Sequence, residues 1–180
     1  QQQVLLQDYF STRGVDAQLQ PFGDVVQKRN PETGRQTPMA NFIAELHPNA
    51  PRRILLCAHY DTRPRPDQDP DPRQREEGVF LGANDGASGV ALLMEMAKHL
   101  DEPGKLGVDI VLFDAEEFIW DDRSDRYFLG SEYFARQSRN DPPKHRYEFG
   151  VLVDMVGDAR LNLLQERYSL SWEATRPLVK

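Results

Sequence analysis

The chain has 180 residues, 39% of them hydrophobic, and its 22 Lys and Arg against 29 Asp and Glu leave a net charge of −7. That length suffices for one α/β domain with a buried core, and no apolar run approaches the roughly 20 residues of a membrane span. The basic residues are scattered among acids rather than clustered, which argues against a nucleic-acid partner and for a small or peptidic substrate.

The chain opens on Gln1-Gln2-Gln3 without an initiator methionine or signal sequence, so it is expected to be processed or trimmed, its targeting segment gone. A helix is predicted over 2–13, with Val4, Leu5, Tyr9 and Phe10 on one face and Gly14 as its stop. Two extended segments follow, Gln18 to Gln27 and Met39 to Leu46; in the second, Phe42, Ala44 and Leu46 alternate with Asn41, Ile43 and Glu45. The turn-rich Arg29-Asn30-Pro31-Glu32-Thr33-Gly34 between them predicts a hairpin.

The rhythm then changes to buried strands alternating with helices. A strand over 53–58 leads through the polar loop Thr62 to Gly78 into a helix over 86–100, where Val90, Leu93, Met94, Ala97 and Leu100 keep helical spacing. A second apolar strand (108–113), a helix from Ser131 to Arg139 and a third strand (149–153) follow. Such alternation means βαβ units and a largely parallel central sheet. Cys57, the only cysteine, lies inside the first apolar run and reads as a small buried hydrophobe. Alone it closes no internal disulfide and forms no thiolate metal cluster. Ser169-Leu170-Ser171-Trp172-Glu173-Ala174 reads as the start of a helix that the sequence abandons at Lys180. With only three clear inner strands as well, the chain is expected to be a fragment.

Each inner strand delivers acid or imidazole at its carboxyl end. The first runs into His59-Tyr60-Asp61, the second into Asp114-Ala115-Glu116-Glu117 and the third into Asp154, while Asp85 stands at the mouth of the intervening helix. Ligand crevices of open α/β sheets lie outside the carboxyl ends of the strands. Three carboxylates within four residues cannot follow a strand into a dry core, because unpaired charge there costs several kcal/mol; they are expected to meet solvent, a metal or a substrate. Singly, Asp85 fits a helix N-cap, His59 a hydrogen-bonded loop histidine, Asp154 a turn residue, and Glu116-Glu117 a solvated helix start. Those separate readings do not predict coincidence at one rim.

One His with several carboxylates suits one zinc ion or a pair, and a neighbouring Glu that is not a ligand can serve as general base. The run Asp67-Gln68-Asp69-Pro70-Asp71 mimics a calcium loop, but Pro72 stands where the turn needs Gly and Gly78 where the last Glu belongs; it reads as a solvated loop. His47, His99 and His145 have no acidic partners at ligand spacing, and His99 beside Lys98 offsets a helix dipole.

In this order, Cys57-Ala58-His59-Tyr60-Asp61, Gly82-Ala83-Asn84-Asp85, Phe113-Asp114-Ala115-Glu116-Glu117, Leu129-Gly130-Ser131 and Leu152-Val153-Asp154-Met155-Val156-Gly157 resemble the zinc-dependent exopeptidase family that includes bacterial aminopeptidases and animal-type glutaminyl cyclases. The resemblance implies a three-layer α/β/α sandwich around a mixed, largely parallel sheet, usually of eight strands, with residues 1–180 as a single domain truncated before its C-terminal strands and last metal ligand. It implies Asp85 and Glu117 as ligands of a catalytic zinc whose third ligand is a His beyond Lys180. His59 and Asp154 would bind a second zinc in a two-metal aminopeptidase. The segment Phe118 to Phe128, with Trp120, Asp121, Asp122 and Asp125, resembles an aromatic-acidic insertion of the cyclases and favours that branch.

For a cyclase the resemblance implies that peptide or protein N-termini are the substrate. Zinc polarises the γ-amide carbonyl of an N-terminal Gln, Glu116 moves the proton from the α-amine to the departing ammonia, and Asp154 and Trp120 hold the substrate. For an aminopeptidase, Glu116 activates the hydrolytic water and Asp85 bridges two zincs. A third reading, a non-catalytic binding relative, sits poorly with retention of His59, Asp85, Glu116, Glu117 and Asp154. A secreted or cell-envelope location follows from the resemblance alone, and oligomeric state is not legible.

Overall fold

The computed structural model describes residues 2–100, 106–143, 145–162 and 167–178. Its elements run α1 (Gln2–Ser11), β1 (Asp16–Pro21), α2 (Gly23–Val26), β2 (Ala40–Leu46), β3 (Arg52–His59), α3 (Pro72–Glu77), α4 (Ala87–Ala97), β4 (Gly107–Phe113), α5 (Leu129–Asn140), β5 (Arg146–Leu152) and α6 (Arg167–Ser171), then a 3₁₀ turn, Arg176–Leu178. The strands form one five-stranded sheet in the order β1-β2-β4-β3-β5. The predicted hairpin is present, β1 pairing antiparallel with β2 so that Leu19 faces Phe42. β2 is also antiparallel to β4, whereas β4 and β5 both run parallel to β3. The sheet is therefore mixed, with its parallel part confined to the βαβ half.

Strand periodicity sorts the core onto two faces. Phe42, Ala44, Leu46, Leu56, Ala58, Ile110 and Leu112 pack with Leu6 and Phe10 of α1 and Leu93 and Ala97 of α4. On the other face, Cys57, Val111 and Phe113 meet Phe134 of α5, the rings of Phe113 and Phe134 standing edge to face with centroids 5.8 Å apart. Helices on both faces of one mixed sheet make the three-layer sandwich. No described helix is long and apolar enough to cross a membrane.

Several local expectations are corrected. In α1 the buried side chains are Leu6 and Phe10, which at i, i+4 lie over the sheet, while Val4 and Leu5 are 60% and 61% exposed. The first extended segment ends at Pro21, and residues 23–26 turn into α2 instead of continuing to Gln27. The loop from Thr62 to Gly78 contains α3, begun by Pro72 in its first turn and by the Asp71 carboxylate, which accepts the Arg73 N–H at 2.9 Å. β5 starts at Arg146 and is an edge strand among the described residues, with Val151 and Leu152 exposed.

Two strands described from sequence as apolar carry a buried ion pair. Arg53 on β3 and Asp109 on β4 are almost wholly buried. The guanidinium donates to Asp109 Oδ1 from Nε at 2.8 Å, to the His47 carbonyl at 2.6 Å and to the Leu46 carbonyl at 2.9 Å. The Tyr147 hydroxyl donates to the other Asp109 oxygen at 2.6 Å. Every charged atom has a partner, as burial requires.

Candidate active site

Because β3, β4 and β5 are mutually parallel, their carboxyl ends share one rim. The crossover β3–α4–β4 covers one face and β4–α5–β5 the other, running back past β3; this opens a crevice at that rim. His59 is the last residue of β3 and is buried. Its Nε2 lies 3.0 Å from Asp85 Oδ1 and 3.4 Å from Asp154 Oδ1, and its Nδ1 lies 3.5 Å from Asp61 Oδ1. Both buried ring nitrogens are close to carboxylates without a hydrogen bond of good geometry.

Asp85 is not a helix cap. The N-cap of α4 is Gly86, at φ 90°, and a Cβ there would lie 2.8 Å from the Asp61 carbonyl and 3.3 Å from the His59 ring. A residue without a side chain lets the turn close against His59 and leaves the Asp85 carboxylate free to face it.

The acidic run after β4 divides three ways. Asp114 turns back into the fold, half-buried, accepting the Ala40 and Ala115 N–H groups at 2.9 Å each, and it is not part of the metal-ligand group. Ala115 takes a left-handed conformation, φ 55°, which redirects the chain. Asp61 then accepts the N–H of Glu116 on one oxygen and of Glu117 on the other, both at 2.9 Å. The doublet is thus held as a fixed turn rather than as a solvated helix start. Glu117 comes within metal-ligand reach of His59 and Asp85, the three donor atoms lying within 4.8 Å of one another. Its Oε2 is buried and unpaired. Glu116 stays outside that group.

Asp154 reaches the rim from the segment after β5, with its side chain 42% exposed. Two staples hold that segment to the start of α4: Asn84 Oδ1 accepts the Gly157 N–H at 2.7 Å, and Ser88 Oγ accepts the Val156 N–H at 3.0 Å. Trp120 is tethered through its backbone N–H to Asp125 at 2.7 Å, Arg65 lies 5.0 Å from its ring centre, and its buried indole N–H is unpartnered. Lys28 pairs with Asp125, fastening the 118–128 segment to the β1–β2 connection.

Electrostatics follow burial. Desolvation, reinforced by Glu117, Asp61 and Asp154 and opposed by His59, pushes the Glu116 carboxyl up to about 7. Burial pulls His59 down, but Asp61, Glu116 and Asp154 outweigh it and raise the imidazole to about 9. Glu117 is raised by burial and by Asp85, against Arg63.

One imidazole and one carboxylate oxygen that are buried without partners, with the part-exposed Asp85 carboxylate beside them, fit a zinc ion. Among the described residues, theirs is the group of three or more His, Cys, Asp or Glu with that geometry. His145 and His99 do have acidic neighbours, Asp109 at 3.5 Å and Glu95 at 3.6 Å, but these pairs lie apart from this group; His47 Nε2 faces the Leu100 carbonyl at 2.8 Å. In the calcium-like loop, Asp67 pairs with Arg63, and Asp69 and Asp71 bond backbone N–H groups. Sequence reasoning assigned no role to Asp61 or Arg63. Asp61 stood within a motif already noted, whereas Arg63 had no signal except a basic residue close to a strand end.

Fold and rim together describe a mixed α/β sandwich with a candidate metal site at the carboxyl ends of its parallel strands. The profile of Peptidase family M28 matches residues 41–180, and the chain belongs to that family. It is similar to a glutaminyl-peptide cyclotransferase of Drosophila melanogaster, 32% identical over 126 residues that make up 65% of this chain and 32% of that protein. Its fold matches the crystal structure of Fimbriiglobus ruber glutaminyl cyclase with a TM-score of 0.82 at 37% identity, covering 94% of this chain and 58% of that one. It also matches a Zn-dependent exopeptidase from Parabacteroides distasonis with a TM-score of 0.78 at 31% identity, covering 97% of this chain and 59% of that one. The chain thus spans about a third of the curated relative and under two thirds of the solved ones.

Proposed function

We propose that the protein to which this chain belongs is a zinc-dependent glutaminyl-peptide cyclotransferase, converting N-terminal Gln of peptides to pyroglutamate with release of ammonia. The observation that carries this reading is the similarity to the Drosophila and Fimbriiglobus cyclases; the rim supplies groups for each role. Asp85 and Glu117 would hold the ion, and His59 lies within ligand reach of both. When bound, zinc supplies a Lewis acid for the γ-amide carbonyl.

In the reaction, the substrate's α-amine attacks its own γ-carbon, the new C–N bond closes a five-membered ring, and the old C–N bond breaks to release ammonia. Attack within one molecule makes the held conformation decisive. Glu116 takes the proton from the amine and returns it to the departing nitrogen, which suits a carboxyl raised to about 7. Asp154, exposed at the rim, is suited to hold the α-amine of the substrate, and Trp120 to pack against the substrate.

The test uses the full-length protein and a Gln-initiated peptide. Mass spectrometry should find the peptide lighter by one ammonia, and metal analysis should find zinc. Release of a free N-terminal amino acid instead would establish the aminopeptidase. Glu116→Gln should lower turnover by roughly 10²–10⁴-fold while sparing zinc content; an undiminished rate would reject Glu116 as the proton carrier.

A further inference from the structure

Arg63 joins the rim to the 118–128 segment. It follows the Asp61 clamp by two residues and is only 8% exposed. Its guanidinium forks onto both oxygens of Asp67, from Nε and Nη2 at 2.8 Å each, and Nη2 also reaches Asp122 Oδ1 at 3.1 Å. Its Nη1 lies 3.2 Å from the Tyr127 hydroxyl and 3.5 Å from Glu117 Oε1. The Tyr127 hydroxyl in turn donates to Asp122 at 2.9 Å. One buried cation therefore ties together the loop before α3, the inserted segment and a candidate metal ligand.

This is not a surface ion pair of small consequence. A guanidinium cannot lose its proton, and its planar fork loses little freedom when its partners already surround it. It also treats the two oxygens of Glu117 differently. Oε1 faces Arg63, while Oε2 is buried without a partner in a residue within ligand reach of His59 and Asp85. A carboxylate held at one oxygen and bare at the other is oriented for single-oxygen ligation, as groups behind a metal's ligands commonly arrange.

We propose that Arg63 is a positioning residue of the metal centre: by holding Oε1 of Glu117 it turns Oε2 to the ion, and by anchoring Asp122 and Tyr127 it makes that pose depend on the docked 118–128 segment. The proposal rests on the zinc centre of the function above and not on cyclisation.

The test compares full-length parent, Arg63→Met, Arg63→Lys and Asp122→Ala. Zinc affinity is read by chelator competition, ligand geometry by the visible spectrum of the cobalt-substituted protein, and folding by thermal melts. Arg63→Met should bind zinc about ten- to a hundredfold more weakly with shifted cobalt bands, and Arg63→Lys should recover only part of the loss. Asp122→Ala should shift the bands in the same direction. Parent affinity and an unchanged cobalt spectrum in folded Arg63→Met would overturn the positioning role, and parent bands in Asp122→Ala would overturn the coupling. Should Arg63→Met fail to fold, Tyr127→Phe, which removes one hydroxyl from the cluster, replaces it: shifted bands support the proposal and parent bands overturn it. The cyclase assay is run in parallel. A parent protein that binds zinc but does not cyclise rejects the cyclase reading and leaves the Arg63 result standing.

Discussion

Asp114 ends β4 with its carboxylate on the N–H groups of Ala40 and Ala115, while the neighbouring Tyr60 hydroxyl donates to the Ala40 carbonyl at 2.5 Å. Burial raises this carboxyl to about 6, against the pull of those backbone donors. The folded protein then keeps a proton on Asp114 that the unfolded chain has already released near its ordinary value of 3.8. Stability should fall as pH rises from 4 to 6, by on the order of 2–3 kcal/mol in total from this group. Asp114→Asn should flatten that part of the profile in urea unfolding at pH 4, 5 and 6; a variant that falls as steeply as its parent would exclude the assignment. Arg53 and Asp109 teach a related lesson. Both lie in segments whose apolar neighbours predict strands, yet each charge is buried because the other charge, three carbonyls and a tyrosine meet it there.

At the scale of elements, α4 matters most, since its start carries Asp85 and staples the segment that bears Asp154. It packs against β3 and the end of β5 through Gly89, where a Cβ would lie 2.8 Å from the Val153 carbonyl and 3.0 Å from the Ala58 Cβ. On helix propensity alone, Gly89→Ala should stabilise by close to 1 kcal/mol. Here the close approach should reverse the sign and cost about 1–3 kcal/mol, measured by thermal or urea unfolding; a stabilised variant would show that the approach is looser than described. The helix itself was legible from the spacing of Val90, Leu93, Met94 and Ala97, and so were β2, β3 and β4 from their apolar runs. Less legible were α2, a single turn with no periodicity to read, and α3, hidden in a polar loop. The exposure of β5 was not legible either, because burial of a strand depends on what packs beside it.

At the scale of the molecule, three parallel strand ends, one helix mouth and one inserted segment converge on the candidate metal site. The candidate ligands, His59 on β3, Asp85 just before α4 and Glu117 in the turn after β4, are far apart in an unfolded chain, so zinc should bind the folded state preferentially and stabilise it. At a free concentration a hundred times its dissociation constant, the gain is about 2.7 kcal/mol, read as a rise in the unfolding midpoint of the full-length protein. Glu117→Gln should abolish most of that rise and Glu116→Gln should keep it. An equal loss in both would deny the division of labour within the doublet.

By itself, the sequence determined the alternation of the main strands and helices, the clustering of acids at strand ends and the membership of Glu116, Glu117, Asp85, His59 and Asp154 in one rim. Those follow from local periodicity and from the rule that parallel strands present their carboxyl ends together. Only the tertiary structure decided what each carboxylate does. Asp114 is taken by a backbone N–H 74 residues away, Asp61 holds the doublet across 55 residues, and Arg63 grips Glu117 across 54. A carboxylate's role is set by which donor reaches it, and in this chain those donors arrive from distant segments that only the folded sheet brings together.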